Sequence, residues 1–380
     1  MEEWKLTKIG TICKRVCSGG TPKSTVEKYY GGEIPWLNTK EVNFNRIYST
    51  ESTITEDGLK NSSAKWIDKN AVIVAMYGAT AAKCAIGMIP MTTNQACCNL
   101  MIDEAKADYR FVYYSIVNSY SVLAGLANGG AQQNLNAQLI KDFAISLPSL
   151  ETQKRIADIL STIDDKIENN TRINHNLEEQ ADCLLSSAIE TQANGSAHLW
   201  DICSYVSGKV NCDTLINENY ISTDNMFANR GGVGIASTIP GGKCTSFMAR
   251  DILVSNIRPY FKKVWRASFS GGCSNDVLCF RSTTGTSSFL YHLLRSDAFF
   301  DYVMSGAKGS KMPRGDKQHI MNWEIPLFEN GFIASLEDSL KVIDDRVAII
   351  QEENRRLSAM RDSLLPMLMN NRVSINDLTC

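Results

Sequence analysis

The chain has 380 residues, 44% of them hydrophobic and 21% charged, with a formal net charge of −2. This is an ordinary globular composition, long enough for two or three domains, and no apolar run reaches membrane-spanning length. The balance excludes a uniformly basic chain, yet it is uneven: residues 1–150 carry +2, residues 197–330 carry +3, and stretches 151–196 and 331–380 together carry −7. Mildly basic parts separated by acidic ones permit local phosphate binding of modest affinity.

The opening Met1-Glu2-Glu3-Trp4-Lys5 places acid where a signal peptide carries base, so the expected location is the cytoplasm. Residues 1–150 read as a first globular domain, mixed α/β with many short strands such as Ala71-Val72-Ile73-Val74-Ala75, broken by Gly, Asn and Pro. A helical patch, Phe111-Val112-Tyr113-Tyr114-Ser115-Ile116-Val117, follows. Cys13 and Cys17 stand four apart and Cys97 and Cys98 are adjacent, with no paired C-x-x-C units. Twelve cysteines so spaced read as buried thiols, and no metal site or disulfide framework is expected.

Residues 151–190 read as a long helix. Alternating steps of four and three from Ile156 land on Leu160, Ile163, Ile167, Asn170, Asn174, Leu177, Ala181, Leu184 and Ala188. That spacing of 3.5 residues is a coiled-coil seam, in which each apolar residue returns to one narrow stripe. A short polar link, 191–196, leads to a second globular domain, 197–330, again with strands such as Asp251-Ile252-Leu253-Val254 and a helical patch at Phe289-Leu290-Tyr291-His292-Leu293-Leu294. Residues 331–370 repeat the helix, and the same walk from Leu336 gives Leu340, Ile343, Val347, Ile350, Asn354, Leu357, Arg361, Leu364 and Leu368. Pro366 lacks an N–H and is expected to end or kink this helix near Leu365, before a tail of residues 371–380. Each helix of about 40 residues would run roughly 60 Å. The partner expected for each is the other, in an antiparallel coiled coil. Asn174 and Asn354 hold equivalent seam positions and read as devices that fix register.

Much of the chain repeats at an offset of 180 residues. Ile163-Asp164-Asp165-Lys166 returns as Ile343-Asp344-Asp345-Arg346, Ile145-Ser146-Leu147 as Ile325-Pro326-Leu327, and Val72-Ile73-Val74 as Ile252-Leu253-Val254. The fold class is therefore α/β (α+β): two mixed domains separated by two long helices, with pseudo-two-fold symmetry. The loops diverge where the frame repeats. Tyr77-Gly78-Ala79-Thr80 stands opposite Ile257-Arg258-Pro259-Tyr260-Phe261-Lys262-Lys263, and Gly129-Gly130-Ala131-Gln132-Gln133-Asn134 opposite Gly309-Ser310-Lys311-Met312-Pro313-Arg314. Gln and Asn can bond adenine with two hydrogen bonds, Arg can do so with guanine, and Lys positions phosphate. The candidate DNA-contacting residues are Lys23, Asn38, Lys40, Tyr77, Gln132, Gln133 and Asn134 in the first domain, with Arg258, Tyr260, Lys262, Lys263, Ser310, Lys311 and Arg314 in the second.

Catalytic motifs are not found. The sequence holds no phosphate-binding G-x-x-x-x-G-K-[ST], no H-E-x-x-H, no G-x-G-x-x-G opening a helix, no G-x-S-x-G and no Asn-Pro-Pro-Tyr or Asp-Pro-Pro-Tyr segment. A non-catalytic chain is expected.

Leu147-Pro148-Ser149-Leu150-Glu151-Thr152-Gln153-Lys154-Arg155-Ile156-Ala157-Asp158-Ile159-Leu160, continuing through Ile163-Asp164-Asp165-Lys166-Ile167, resembles the conserved helical region of type I restriction–modification specificity subunits. Leu364-Leu365-Pro366-Met367-Leu368-Met369 resembles the end of their second such helix, and Ser18-Gly19-Gly20-Thr21-Pro22 the opening of many of their target-recognition domains. Gln132-x-x-Leu135 is similar to the loop before the helix, while Leu327-Phe328-Glu329-Asn330 departs from the pattern of the first copy.

The resemblance implies that each globular domain reads one half of a bipartite, asymmetric site on double-stranded DNA, with the helices setting the gap. It also implies docking of modification subunits, two of them, which would hold S-adenosylmethionine and flip and methylate the base. A nuclease–translocase restriction subunit would join for cleavage, and this chain would carry no cofactor, no metal and no membrane contact. The alternatives are the specificity subunit of a related methylation and cleavage system, a phase-variable orphan that tunes another complex, and a coiled-coil scaffold with two ligand-binding heads and no role on DNA.

Overall fold

A computed structural model of the chain describes residues 4–128 and 135–372. It divides into two compact units, Met1–Glu168 with Arg355–Cys380, and Asn169–Asn354. Two long helices, Leu150–Gln192 and Asn330–Met369, each contribute to both units.

In the first unit the strands Cys13–Ser18, Cys97–Ile102, Val72–Ala75, Cys84–Gly87 and Asn45–Ile47 lie side by side in that order, antiparallel except for the last pair. Val72–Ala75 is buried along its whole length because both faces of the sheet are covered. Val72, Val74, Ile86 and Leu100 pack with Phe111, Val112 and Ile116 of the helix Tyr109–Asn118, whereas Ile73, Ala85 and Met101 pack with Leu37, Val42 and Met91 on the other side. A strand covered twice reads as a continuous apolar run instead of an alternation. The second unit repeats the design. Cys203–Tyr205, Val277–Ser282, Ile252–Ser255 and Val264–Arg266 form the sheet, with Ile252, Val254 and Phe280 facing one core and Leu253, Trp265 and Cys279 the other.

Each unit also closes its chain in the same way. Lys5–Lys8 pairs antiparallel with Ala144–Leu147, and Gly195–His198 pairs with Glu324–Leu327, so a strand from the start of each unit fixes the strand that precedes a long helix. Residues 195 and 196, expected as link, therefore belong to a ladder. The helices take part in capping as well. Gln153 accepts the Asp108 backbone N–H at 3.0 Å and donates to the Pro148 carbonyl at 2.9 Å, while Glu337 accepts the N–H groups of Ser288 and Phe289 at 3.0 and 2.8 Å. In both units the long helix thus meets free donors at the start of a shorter helix.

Opposite ends of the helices share a core within each unit, so they run antiparallel. Ile156 and Leu160 pack with Leu365, Leu368 and Met369 in the first, and Ala181, Leu185 and Ala188 with Leu336 and Leu340 in the second. Of the expected seam, Ile156, Leu160, Ile163, Asn174, Leu336, Leu340, Val347 and Ile350 are buried, and Ile167, Leu177, Ile343, Asn354, Leu357 and Leu364 are partly covered. Leu184 is a correction: it is 43% exposed, and its neighbour Leu185 is buried at 5%. A straight helix with 3.6 residues per turn drifts about 20° per heptad from a 3.5 seam, and here the contact passes to the next residue where the helix packs on a globular core.

Two further expectations change. Asn170, not Asn174, makes the polar contact across the helices, donating to Asn354 at 2.9 Å and Glu353 at 2.8 Å. The antiparallel register that sets Asn170 against Asn354 sets Asn174 four residues on against Ile350, and the buried Asn174 Oδ1 has no hydrogen bond. Pro366 does not end the helix near Leu365, which continues to Met369. The missing N–H falls in the last turn, and the chain leaves through Asn371 with φ 53°. No group of three or more His, Cys, Asp or Glu is placed to hold a metal among the described residues, where the cysteines are free thiols and mostly buried.

Candidate nucleic-acid interface

The central strand of each unit delivers the chain to an exposed turn. In the second unit the buried strand Ile252–Ser255 runs into Arg258 with φ 49°, a short 3-10 turn Pro259–Phe261, and Lys262 with φ 50°. Proline fixes φ for the turn, and a left-handed residue on each side reverses the chain tightly. In the first unit Val72–Ala75 runs into Gly78 with φ 76°, the turn Gly78–Thr80, and Ala82 with φ 68°. Asn70 and Arg250, with φ 68° and 75°, precede the two strands. Left-handed residues therefore recur at the same offset of 180, at positions 70, 78 and 82 and again at 250, 258 and 262.

The two divergent loops of the second unit come together. Ile257 and Lys308 each form a bridge to Arg314, and the Arg258 N–H donates to the Pro313 carbonyl at 2.8 Å. Most cations here are already engaged. Lys262 bonds Asp297 at 2.8 Å, beside Arg230 on the same carboxylate, Lys263 donates to the Thr223 carbonyl at 2.6 Å, and Arg314 meets Asp276 at 3.2 Å. Lys262 and Arg230 hold the Asp297 carboxyl at about 2, well below the usual carboxylate range. Tyr260 and Phe261 stand exposed with ring centroids 4.8 Å apart, and Ser310, Lys311 and Met312 are exposed beside them.

In the first unit, Thr80 Oγ1 donates to the Thr39 carbonyl at 3.0 Å and ties the turn to a second one. There Asn38 caps Thr39–Glu41: its Oδ1 accepts the Lys40 N–H at 3.1 Å, and Glu41 returns a carboxylate to the Asn38 N–H at 2.9 Å. Lys40 bonds Glu51 at 2.5 Å, which raises its pKa. Asn38, Lys40 and the exposed Tyr77 are thus neighbours by structure. Gln132, Gln133 and Asn134 lie outside the described residues, although Leu135, just after them, donates to the Met76 carbonyl at 3.2 Å. Lys23 is exposed on another segment, after Gly19 and Gly20. A methyl at Gly20 would overlap the backbone at Ser63 and Ala64, and the Gly20 carbonyl accepts Trp36 Nε1 at 2.9 Å, so the Ser18-Gly19-Gly20-Thr21-Pro22 stretch is a close backbone crossing.

Sequence reasoning missed the polar anchors between each globular core and its helices. The repeated Asp-Asp supplies them. In the first unit Asp164 accepts from Tyr114 at 2.5 Å and from Arg361 at 2.9 Å, while Asp165 pairs with Arg46. In the second, Asp344 meets His292 Nε2 at 3.0 Å and Arg266 at 3.5 Å, and Asp182 and Glu178 hold Arg295 at 2.7 and 3.0 Å. Recurrence of the same acids in both copies was the available signal, because a merely solvated face has no need of them.

Residues 1–179 match the family described as type I restriction modification DNA specificity domain. Over 184 residues the chain is 32% identical to the type I restriction enzyme MjaIX specificity subunit of Methanocaldococcus jannaschii, covering 47% of this chain and 42% of that one. Over 168 residues it is 29% identical to the EcoR124I/EcoR124II specificity subunit of Escherichia coli, covering 43% and 41%. The chain thus spans about two fifths of the length of these relatives. The fold is shared with the crystal structure of a type I restriction-modification S subunit from M. genitalium, with a TM-score of 0.61 at 17% identity over 97% of this chain and 96% of that one. The similarity to the type I restriction modification DNA specificity domain is thus carried by residues 1–179.

Proposed function

We propose that this chain is the DNA-specificity subunit of a type I restriction–modification complex, non-catalytic itself, with each unit reading one half of a bipartite site. The observation that carries it is the pair of turns on one repeated backbone, glycine-based and small in the first unit, cationic and aromatic in the second. One frame with two surface chemistries suits two readers of different sequences. Modification subunits, two per chain, would dock on the acidic helices and hold S-adenosylmethionine, and restriction subunits would join for cleavage. DNA contacts made by these partners would supply affinity that a chain of net charge −2 lacks.

The test is to co-express the chain with a type I modification subunit and map methylated bases across the host genome. Replacing residues 1–150 with the same segment of a relative should change one half of the methylated site and leave the other. A change in both halves, or methylation without sequence preference, rejects the reading. Seven-residue insertions in both long helices should alter only the gap. Methylation by the purified chain alone would also reject the assignment of a non-catalytic role.

A further inference from the structure

We infer, resting on the proposed DNA reading, that Arg258 is the specificity-determining side chain of the second unit and presents paired donors to a guanine edge. Three observations meet at this residue.

The first is its backbone. Arg258 occupies the left-handed region at φ 49°, at the position where the first unit places Gly78 at φ 76°. Glycine takes this conformation without cost, whereas a long side chain with a Cβ does not. Nothing stands within 4 Å of a Cβ built on Gly78, so the turn itself has no packing need for a side chain there. Strain at a residue whose sister position is glycine points to a function for the side chain.

The second is its lack of a partner. Among the described residues the Arg258 guanidinium makes no hydrogen bond or ion pair, and its Nε is sealed from solvent unsatisfied. The acids around it are taken: Asp297 by Arg230 and Lys262, Asp276 by Arg314, and Asp316 by Lys308 at 2.6 Å. Lys262, Lys308 and Arg314 are paired with acids inside the protein, whereas the half-buried Arg258 is held without a counter-charge. The Nη atoms are not among the sealed, unsatisfied ones, which leaves the end of the fork open to two adjacent acceptors.

The third is rigidity. Arg258 is followed by Pro259, its N–H is bonded to Pro313, and Gly315 approaches so closely that a Cβ there would stand 2.8 Å from Asn256 Oδ1. A phosphate contact tolerates a flexible lysine. A base-edge contact to O6 and N7 of guanine needs a planar fork fixed in place.

The experiment uses the chain in complex with a modification subunit, selecting from a duplex library randomised at every position and sequencing the bound fraction at two salt concentrations. Arg258→Gly should keep or raise the thermal midpoint, because it relieves the backbone, and should lose a guanine preference of roughly tenfold or more at one position of one half-site. Arg258→Lys should relax the same position without changing the salt dependence, since the charge stays and the fork is lost. Uniform weakening of all sequences by Arg258→Gly, with the salt slope reduced by about one, would make it a phosphate contact and overturn the inference. A lower thermal midpoint with an unchanged selected sequence would make it structural and overturn it too. A wild-type complex that selects no sequence would instead bring down the DNA-reading proposal itself.

Discussion

The two units hold the same acidic pair to different neighbours, and the difference lies in how much charge each buries. Asp164 of the first meets a tyrosine hydroxyl and an arginine, with its side chain 15% exposed. Asp344 of the second is 6% exposed and faces His292, itself 1% exposed, together with Arg266. Arg295 is buried nearby between Glu178 and Asp182. An ion cluster out of water stabilises only while complete, because removing one member leaves the others desolvated and unpaired. The second unit is therefore the more sensitive to loss of an anchor, although the sequence repeats the anchor unchanged.

The largest expected effect follows from this. Asp344→Ala should destabilise the second unit by about 3–5 kcal/mol, and Asp164→Ala the first by about 1.5–3 kcal/mol, as read from denaturant unfolding with a reporter in each unit. Equal losses would erase the contrast. Next comes Asn174→Leu, which removes a buried carbonyl with no donor and should raise stability by about 1–3 kcal/mol. Asn170→Leu removes the hydrogen bonds that Asn170 donates to Asn354 and Glu353 and should lower it, so opposite signs in thermal melts are the signature of the register described above.

Smaller still is Gly78→Ala, expected to cost about 1–2 kcal/mol through the backbone alone, since its Cβ would meet nothing. Loss of stability beyond that would mean that the turn in the first unit is packed after all. The shallowest effect concerns pH. Burial pulls the His292 pKa down, but the hydrogen bonds it donates to Asp182 and Asp344 outweigh this and leave the pKa above the usual 6.5. A raised histidine pKa stabilises the folded state fully below the unfolded value, and that contribution fades as pH climbs through the folded one. Stability of the second unit should decline gently above pH 6.5 and that decline should vanish in His292→Gln, whereas the first unit, anchored by tyrosine and arginine, should stay level. A slope surviving His292→Gln would assign it elsewhere.

Much of the fold is legible in the sequence. The helical periodicity located both long helices, and the repeat of Val72-Ile73-Val74 as Ile252-Leu253-Val254 marked the central strand of each sheet. Apolar spacing is dictated locally, by 3.6 residues per turn or by a strand covered on both faces, so a single sequence carries it. Register and pairing are not local. That Leu185 instead of Leu184 enters the core, that Asn170 instead of Asn174 meets Asn354, and that the helix runs on through Pro366 were set by what stood across from each residue. The same holds for the candidate interface. The sequence by itself determined a repeated frame with loops of contrasting chemistry, since composition and spacing are written in the chain. Only the tertiary structure decided which cations of those loops are paired with acids and that Arg258 is not among them, because pairing depends on acids such as Asp297 and Asp276 brought in from distant segments.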